Sequence, residues 1–285
     1  MASRIPPLLD PYLSPPPETS LVFLSGILGS TTNWLVFRYL YSLLSGPSKP
    51  TSQEDALDSP SVDGTNVVLV SFLRDYAFWK DGAGKLGIDL DVLTRKGKFV
   101  FVDGLNGLFQ ASQSHAPIRT PGGRVLSSPT LQHLRKGLED AIAQVQHSAS
   151  GQRTVLIVDQ PDLLLAASGE SISSQGLRET LLEIREKVHS SIVTLSVDEP
   201  LISSQTTSLE KDHAALAVSL AHDAYFVISL RMLDTGTARD VSGVLRITRG
   251  GGIGVISDSM DVVEERELLY FIAGDGGVRV FERGQ

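Results

Sequence analysis

The sequence predicts an α/β domain built on a doubly wound, mainly parallel sheet, with helices on both faces and antiparallel strands added at one edge. Three observations carry this. Six apolar runs, at 21–24, 67–72, 98–102, 154–159, 192–197 and 225–230, are continuous and rich in β-branched residues rather than alternating. That is the pattern of strands covered on both faces. Longer segments with helical spacing separate several of them, as in strand–helix alternation. Beyond a seventh run at 244–248, the C-terminal stretches ARDVSGVLRITRGGGIGVIS and ELLYFIAGDGGVRVFERG are shorter, Gly-punctuated and closer to alternating, so they read as hairpins at a sheet edge with a turn at 274–277.

The first segment, MASRIPPLLDPYLSPPPETS, is broken by proline and has no continuous apolar core, so it reads as an extended arm over residues 1–19 rather than a signal peptide. Residues 20–285 are expected to form one unit. The run at 21–24 leads into GILGSTTN and then the apolar helix candidate 32–44, which is interrupted by Arg38 and is too short for a bilayer. Residues 45–66 are Ser-, Pro- and Asp-rich and aperiodic, a loose loop. Further helices are expected at 132–146, 175–189 and 209–221. In the second of these, Leu177, Leu181, Ile184 and Val188 form a one-sided apolar stripe.

Composition removes several functions. The chain has no cysteine, so disulfides, thiolate zinc sites and cysteine nucleophiles are excluded. Its net charge of −8 has the wrong sign for a stand-alone nucleic-acid binder. Charge is uneven, however: residues 110–136 hold Arg119, Arg124, Arg135 and Lys136 and no acid, whereas 258–267 are acidic. The turn after the first run, GILGSTTN, does not provide the G-x-G-x-x-G of a dinucleotide fold, no G-x-S-x-G is present, and the six histidines lack metal-ligand spacing. A soluble intracellular protein without a membrane role is expected.

The strand–turn–helix at 21–44 has the layout of a phosphate-binding loop, in which backbone amides and a helix N-terminus hold phosphate oxygens while a lysine neutralises them. Gly26 and Gly29 permit the turn, and Ser30, Thr31 and Thr32 are good helix caps. The lysine position, however, is Thr32, and the position of the metal-binding hydroxyl is Asn33. TVLIVDQPDLLL resembles the strand whose terminal aspartate, here Asp159, holds a metal in such enzymes, but Gln160 follows where an acid is common. Without the lysine, Asp159 and the similarly placed Asp103 read first as strand-end or turn residues. An active hydrolase would need Lys49, Lys80 or Lys85 to reach the turn.

Two stretches go beyond generic pattern. SFLRDYAFWKDGAGKLGIDLDVLTRKGKFVFVDGL (71–105) and LDTGTARDVSGVLRI (233–247), taken with the altered phosphate loop, resemble the family of the sixth subunit of the Elongator complex. The resemblance implies a RecA-like fold that has lost its nucleotide-binding motifs, with no cofactor of its own. It also implies partners: the fourth and fifth subunits in a hetero-hexameric ring, the catalytic Elongator subunits, and tRNA whose wobble uridine is modified. A cytoplasmic location, with the nucleus as a second compartment, goes with it. In such rings the loops at 160–174 and 198–212 would face the pore. Candidate contacts to tRNA or a neighbouring subunit are Arg119, Arg124, Lys211, Arg231, Arg239 and Arg246. A protein-interaction module with no RNA role is the remaining alternative.

Overall fold

The computed structural model describes residues 4–45, 64–109, 123–148, 151–169, 171–234, 236, 238–252 and 263–283. Ten strands form one sheet in the order β10-β9-β8-β7-β1-β6-β5-β2-β3-β4. The six apolar runs are β1 (Leu21–Gly26), β2 (Thr65–Ser71), β3 (Phe99–Asp103), β5 (Arg153–Asp159), β6 (Ser190–Ser196) and β7 (Phe226–Arg231), and all pair in parallel. The two-residue β4 (Arg124–Val125) extends that edge beside β3. At the opposite edge β8 (Gly243–Arg249), β9 (Arg266–Ile272) and β10 (Val278–Phe281) add antiparallel to β7. The β9–β10 turn is closed by Gly276, at φ +83°, whose N–H donates to Ala273 O. The fold class read from the runs is the one observed.

Continuous apolar strands follow from burial on both sides. Val22, Leu24, Val67, Leu69, Phe99 and Phe101 point into one core, under α2 (Asn33–Leu44), α3 (Tyr76–Lys85) and α4 (Leu90–Arg95). Their neighbours Leu21, Phe23, Val68, Val70, Val100 and Val102 point into a second core, under α6 (Leu131–Ser148), α8 (Ser174–Arg185) and α10 (Ser208–Asp223). Each fully buried aliphatic side chain is worth about 1.5–3 kcal/mol, so alternate residues of one strand stabilise two different interfaces.

The expected helices are present with small shifts. The segment predicted at 175–189 stops at Arg185, because Lys187 and Val188 turn back on the carbonyls three residues earlier and His189 N–H already belongs to Thr154 O of β5. Helices α3 and α4 were not legible as periodic segments. Their starts are nevertheless built from local chemistry: Asp75 accepts from Phe78 N–H, and Asp89 from Val92 N–H. Gly82 hides the helical character of α3 and has a packing reason, since a Cβ there would lie 2.0 Å from Phe37 Cζ. The loop read at 45–66 lies almost wholly outside the described residues.

The reading of residues 1–19 as an extended arm needs correction. Pro7–Leu9 forms a 3-10 turn and Asp10–Leu13 a short helix, α1, each with proline in its first turn, where the missing N–H is harmless. Leu9 and Leu13 are fully buried in the first core. Tyr39 Oη donates to Tyr12 O, and Tyr12 Oη donates to Glu264 O, tying the segment between α2 and the β9 edge. Leu13→Ala is therefore expected to destabilise the protein by about 2–5 kcal/mol in chemical denaturation. A loss within about 0.5 kcal/mol, normal for a surface change, would restore the extended arm.

Candidate functional site

The turn after β1 sits at the carboxyl end of the sheet, in the crevice where open α/β sheets bind ligands. β1 lies between β6 and β7, and β5 is one strand further out. Ser30 N–H donates to Ile27 O at 2.8 Å, and Gly29 has φ +88°, so residues 27–30 form a tight reverse turn. The turn is folded down onto its own start, since a side chain at Gly26 would lie 2.5 Å from Ser30 O. A side chain at Gly29 would meet Met232 Sδ at 3.2 Å.

A phosphate loop needs its amides free and its surroundings positive. Here Leu28 N–H donates to Asp198 Oδ1 at 2.7 Å, across 170 residues of sequence. A carboxylate of the chain itself thus holds an amide of the turn. Thr31 is exposed and its Oγ1 accepts from Asn33 N–H at 3.2 Å, from one residue before the cap position of α2. Thr32 is not a side-chain cap: it is buried, with its methyl against Gly26. The position of the phosphate-binding lysine is therefore occupied by a side chain turned into the protein.

Asp159 is fully buried and is neither a strand-end cap nor a turn residue. Its Oδ2 accepts from Ser71 Oγ of β2 at 2.7 Å, and its Oδ1 from Thr194 Oγ1 of β6 at 2.9 Å. Burial pushes its carboxyl up from the usual range, and the two hydroxyls offset part of that. Gln160 adopts φ +56°, a left-handed conformation that costs a non-glycine residue about 1–2 kcal/mol. It is held there by Thr194, which accepts from its backbone N–H, and by Ser196 Oγ, which donates to its Oε1. Asp103 is the turn residue expected: it accepts from the N–H groups of Leu105 and Asn106.

Asp162, in the first turn of α7 (Asp162–Ser168), was missed as a site residue. It is buried, its Oδ1 has no partner among the described residues, and burial pushes its pKa up to about 7, with Asp159 and Asp198 adding to the shift. His213 of α10 lies buried nearby, its ring Nε2–H donating to Ser196 O at 2.7 Å. The crevice is thus acidic, and like charges brought together there disfavour a phosphate. Nothing local in the sequence marks Asp162 or Asp198, because their roles arise from pairings between distant strands.

The remaining residues are scattered. Arg124 on β4 contacts Gln144 and Asp140 of α6. Arg231 is engaged by Asp234 at 2.6 Å and lies 3.8 Å from Glu267. Arg246 is exposed on β8 opposite Glu267, Arg239 is exposed before β8, and Lys211 is exposed on α10. Arg119 lies outside the described residues. In the loops after β5 and β6, several acids are structural: Asp212 accepts from Ser174, and Glu210 completes a capping box with Thr207. Of the three lysines, Lys80 pairs with Asp91 at 2.7 Å, Lys85 borders a groove beside α2, and Lys49 is outside the described residues.

Asp162 has a measurable consequence. A carboxyl raised in the folded state supports the fold fully below its unfolded value, and that support is lost as pH rises through about 7. The stability difference between Asp162→Asn and the parent should therefore grow in favour of Asn from pH 4 to 8 in denaturation at several pH values, by at most about 4 kcal/mol. A difference independent of pH would remove the assignment.

Comparison with known proteins places this geometry. The profile described as Elongation complex protein 6 matches residues 62–264. An Elongator complex protein 6 homolog of Schizosaccharomyces pombe is 28% identical over 200 residues, covering 69% of this chain and 72% of the relative. Elongator complex protein 6 of Saccharomyces cerevisiae is 24% identical, covering 83% and 80%; that of Xenopus laevis is 24% identical, covering 78% and 81%. A KaiC-like protein of Pyrococcus horikoshii superimposes with a TM-score of 0.56 at 14% identity over 99% of this chain and 98% of its own. An uncharacterized protein of the same archaeon, crystallised with an unknown peptide, gives 0.58 at 11% over the whole of both chains. The two structures show a RecA- and KaiC-like fold. With the profile spanning most of its length, the chain belongs to the Elongation complex protein 6 family.

Proposed function

We propose that this chain is a catalytically silent, RecA-like subunit of the Elongator complex. In this reading two copies join the fourth and fifth subunits in a hetero-hexameric ring that holds tRNA for modification of its wobble uridine (U34). The observation that carries the silent role is the Leu28 N–H donated to Asp198. It places a negative charge where a nucleotide's phosphates would be, and the adjoining Thr32 side chain is turned inward. Asp159, engaged by Ser71 and Thr194, serves the sheet rather than a metal.

The acidic balance of −8 supports a shared role in RNA binding, since affinity for a phosphate backbone depends on cations that partner subunits would mostly supply. Among this chain's candidates, Arg239 is the better placed: it is exposed, whereas Arg231 is committed to Asp234 and Glu267. Leu28, 87% exposed at the tip of the turn, and Val218, 64% exposed on α10, are apolar groups that a neighbouring subunit would cover.

Two measurements test the reading. The isolated chain is expected to show no steady ATP turnover; turnover abolished by Asp159→Ala or Lys85→Ala would establish the hydrolase instead. Co-expression with the fourth and fifth subunits should give a particle of hexameric mass that retains labelled tRNA on a filter. In that particle Arg239→Ala should lower the salt slope of tRNA binding by about one, and Arg231→Ala should change it less. A monomer in the co-expression, or tRNA retention indifferent to omission of this subunit, would overturn the ring reading.

A further inference from the structure

Three carboxyl groups meet at the carboxyl ends of β5 and β6, and each is held differently. Asp159 is fixed, because hydroxyls from two neighbouring strands occupy its oxygens in a site closed to solvent. Asp162, three residues on, is 6% exposed. Its carboxyl lies against its own N–H and that of Ser196, while Oδ1 has no partner among the described residues. Asp198 is half-buried at the head of α9 (Glu199–Ser203), yet its side chain does not cap that helix. It reaches Leu28 N–H at 2.7 Å instead.

The charged groups that face Asp162 are Asp159 from β5 and Asp198 from the segment after β6, and both disfavour its ionised form. From α10, which packs on α7, comes His213, whose ring is engaged by Ser196 O. Arg74, after β2, acts on Asp159. Burial first, and then the neighbouring carboxylates, push Asp162 up to about 7, so both of its states are populated near neutral pH. Loss of that proton puts three negative charges together where water does not screen them, and the repulsion is relieved by whichever of them can move. Asp159 is clamped by Ser71 and Thr194, and Asp162 follows Gln160, itself tied to Thr194 and Ser196. Of the three, Asp198 borders solvent and is tethered by a single hydrogen bond among the described residues.

We propose that Asp162 and Asp198 form a proton-operated latch on the turn after β1. With Asp162 neutral, Asp198 stays in place and holds Leu28 N–H; with Asp162 ionised, Asp198 swings toward solvent and the Leu28 bond opens. The turn that carries the exposed Leu28 side chain is thereby firm on the acid side of neutrality and loose on the alkaline side, so whatever covers Leu28 meets a pH-dependent surface. The latch is built from contacts within the chain and does not depend on the ring or tRNA reading. Its coupling is reciprocal: if ionisation loosens the latch about tenfold, breaking the latch lowers the Asp162 midpoint by about one pH unit.

The test is NMR spectroscopy of the full chain from about pH 5.5 to about pH 8.5, a range that brackets the Asp162 midpoint. Three signals are followed: the Leu28 amide proton shift, its hydrogen-exchange protection corrected for the intrinsic pH dependence of exchange, and the Asp162 carboxyl carbon. The Leu28 amide should move upfield with the same midpoint as the Asp162 carbon, near 7, while its protection falls about tenfold. In Asp162→Asn the corrected Leu28 signals should stay constant with pH. His213→Gln should leave the midpoint in place, which separates Asp162 from a titrating histidine. Asp198→Asn should keep the Asp162 titration, at lower pH, and remove the response at Leu28, which guards against a misfolded Asp162 variant. An Asp162 carbon that titrates with no change at Leu28 would overturn the latch while leaving the raised carboxyl intact. A Leu28 midpoint that persists in Asp162→Asn, or that disappears in His213→Gln, would overturn it as well.

Discussion

A parallel sheet buried on both faces leaves the polar groups at its strand ends few partners except one another. That constraint organises the centre of this molecule. Asp159 at the end of β5 is satisfied by Ser71 from β2 and Thr194 from β6, and Thr194 also holds the strained backbone of Gln160. One strand further on, Asp198 holds the turn that follows β1. Together these bonds tie β2, β5, β6 and β1 at their carboxyl ends. Removing one partner would leave a buried donor or acceptor unmet, a cost of about 1–3 kcal/mol per group.

The same bonds give the proposed catalytically silent role a physical basis. In a phosphate loop, free amides and a lysine meet an anionic ligand. Here the amide of Leu28 meets an internal carboxylate, and the lysine position is a threonine packed against Gly26. The fold needs the strand, the tight turn and the helix, because α2 covers the first core. It does not need phosphate. Chain-internal hydrogen bonds can therefore hold the geometry of the turn without a phosphate.

Much of the fold was legible in the residue pattern and much of the site was not. The six parallel strands announce themselves as unbroken β-branched runs, since burial on both faces imposes one requirement on every residue. Helices α3 and α4 did not, because Gly82 and Gly84 mask α3 and α4 is only six residues long. The N-terminal prolines suggested an extended arm, yet they sit in first turns, where proline fits, and Leu9 and Leu13 fill the core. In the site, the missing lysine could be read directly. That Asp159 bridges strands, that Asp162 is buried with one carboxylate oxygen unpartnered among the described residues, and that Asp198 reaches the turn could not.

By itself, then, the sequence determined the strand–helix alternation, the antiparallel C-terminal edge, the lack of a lysine at the phosphate turn, and a family-like signature in two segments. These depend on local spacing or on residue identity, which a linear chain displays. The tertiary structure alone decided which carboxylate meets which amide, that Lys80 pairs with Asp91, and that Arg38 is buried against a groove. Each of those is a contact between residues far apart in the chain, and its energy depends on burial and partner geometry that only the assembled sheet and helices create.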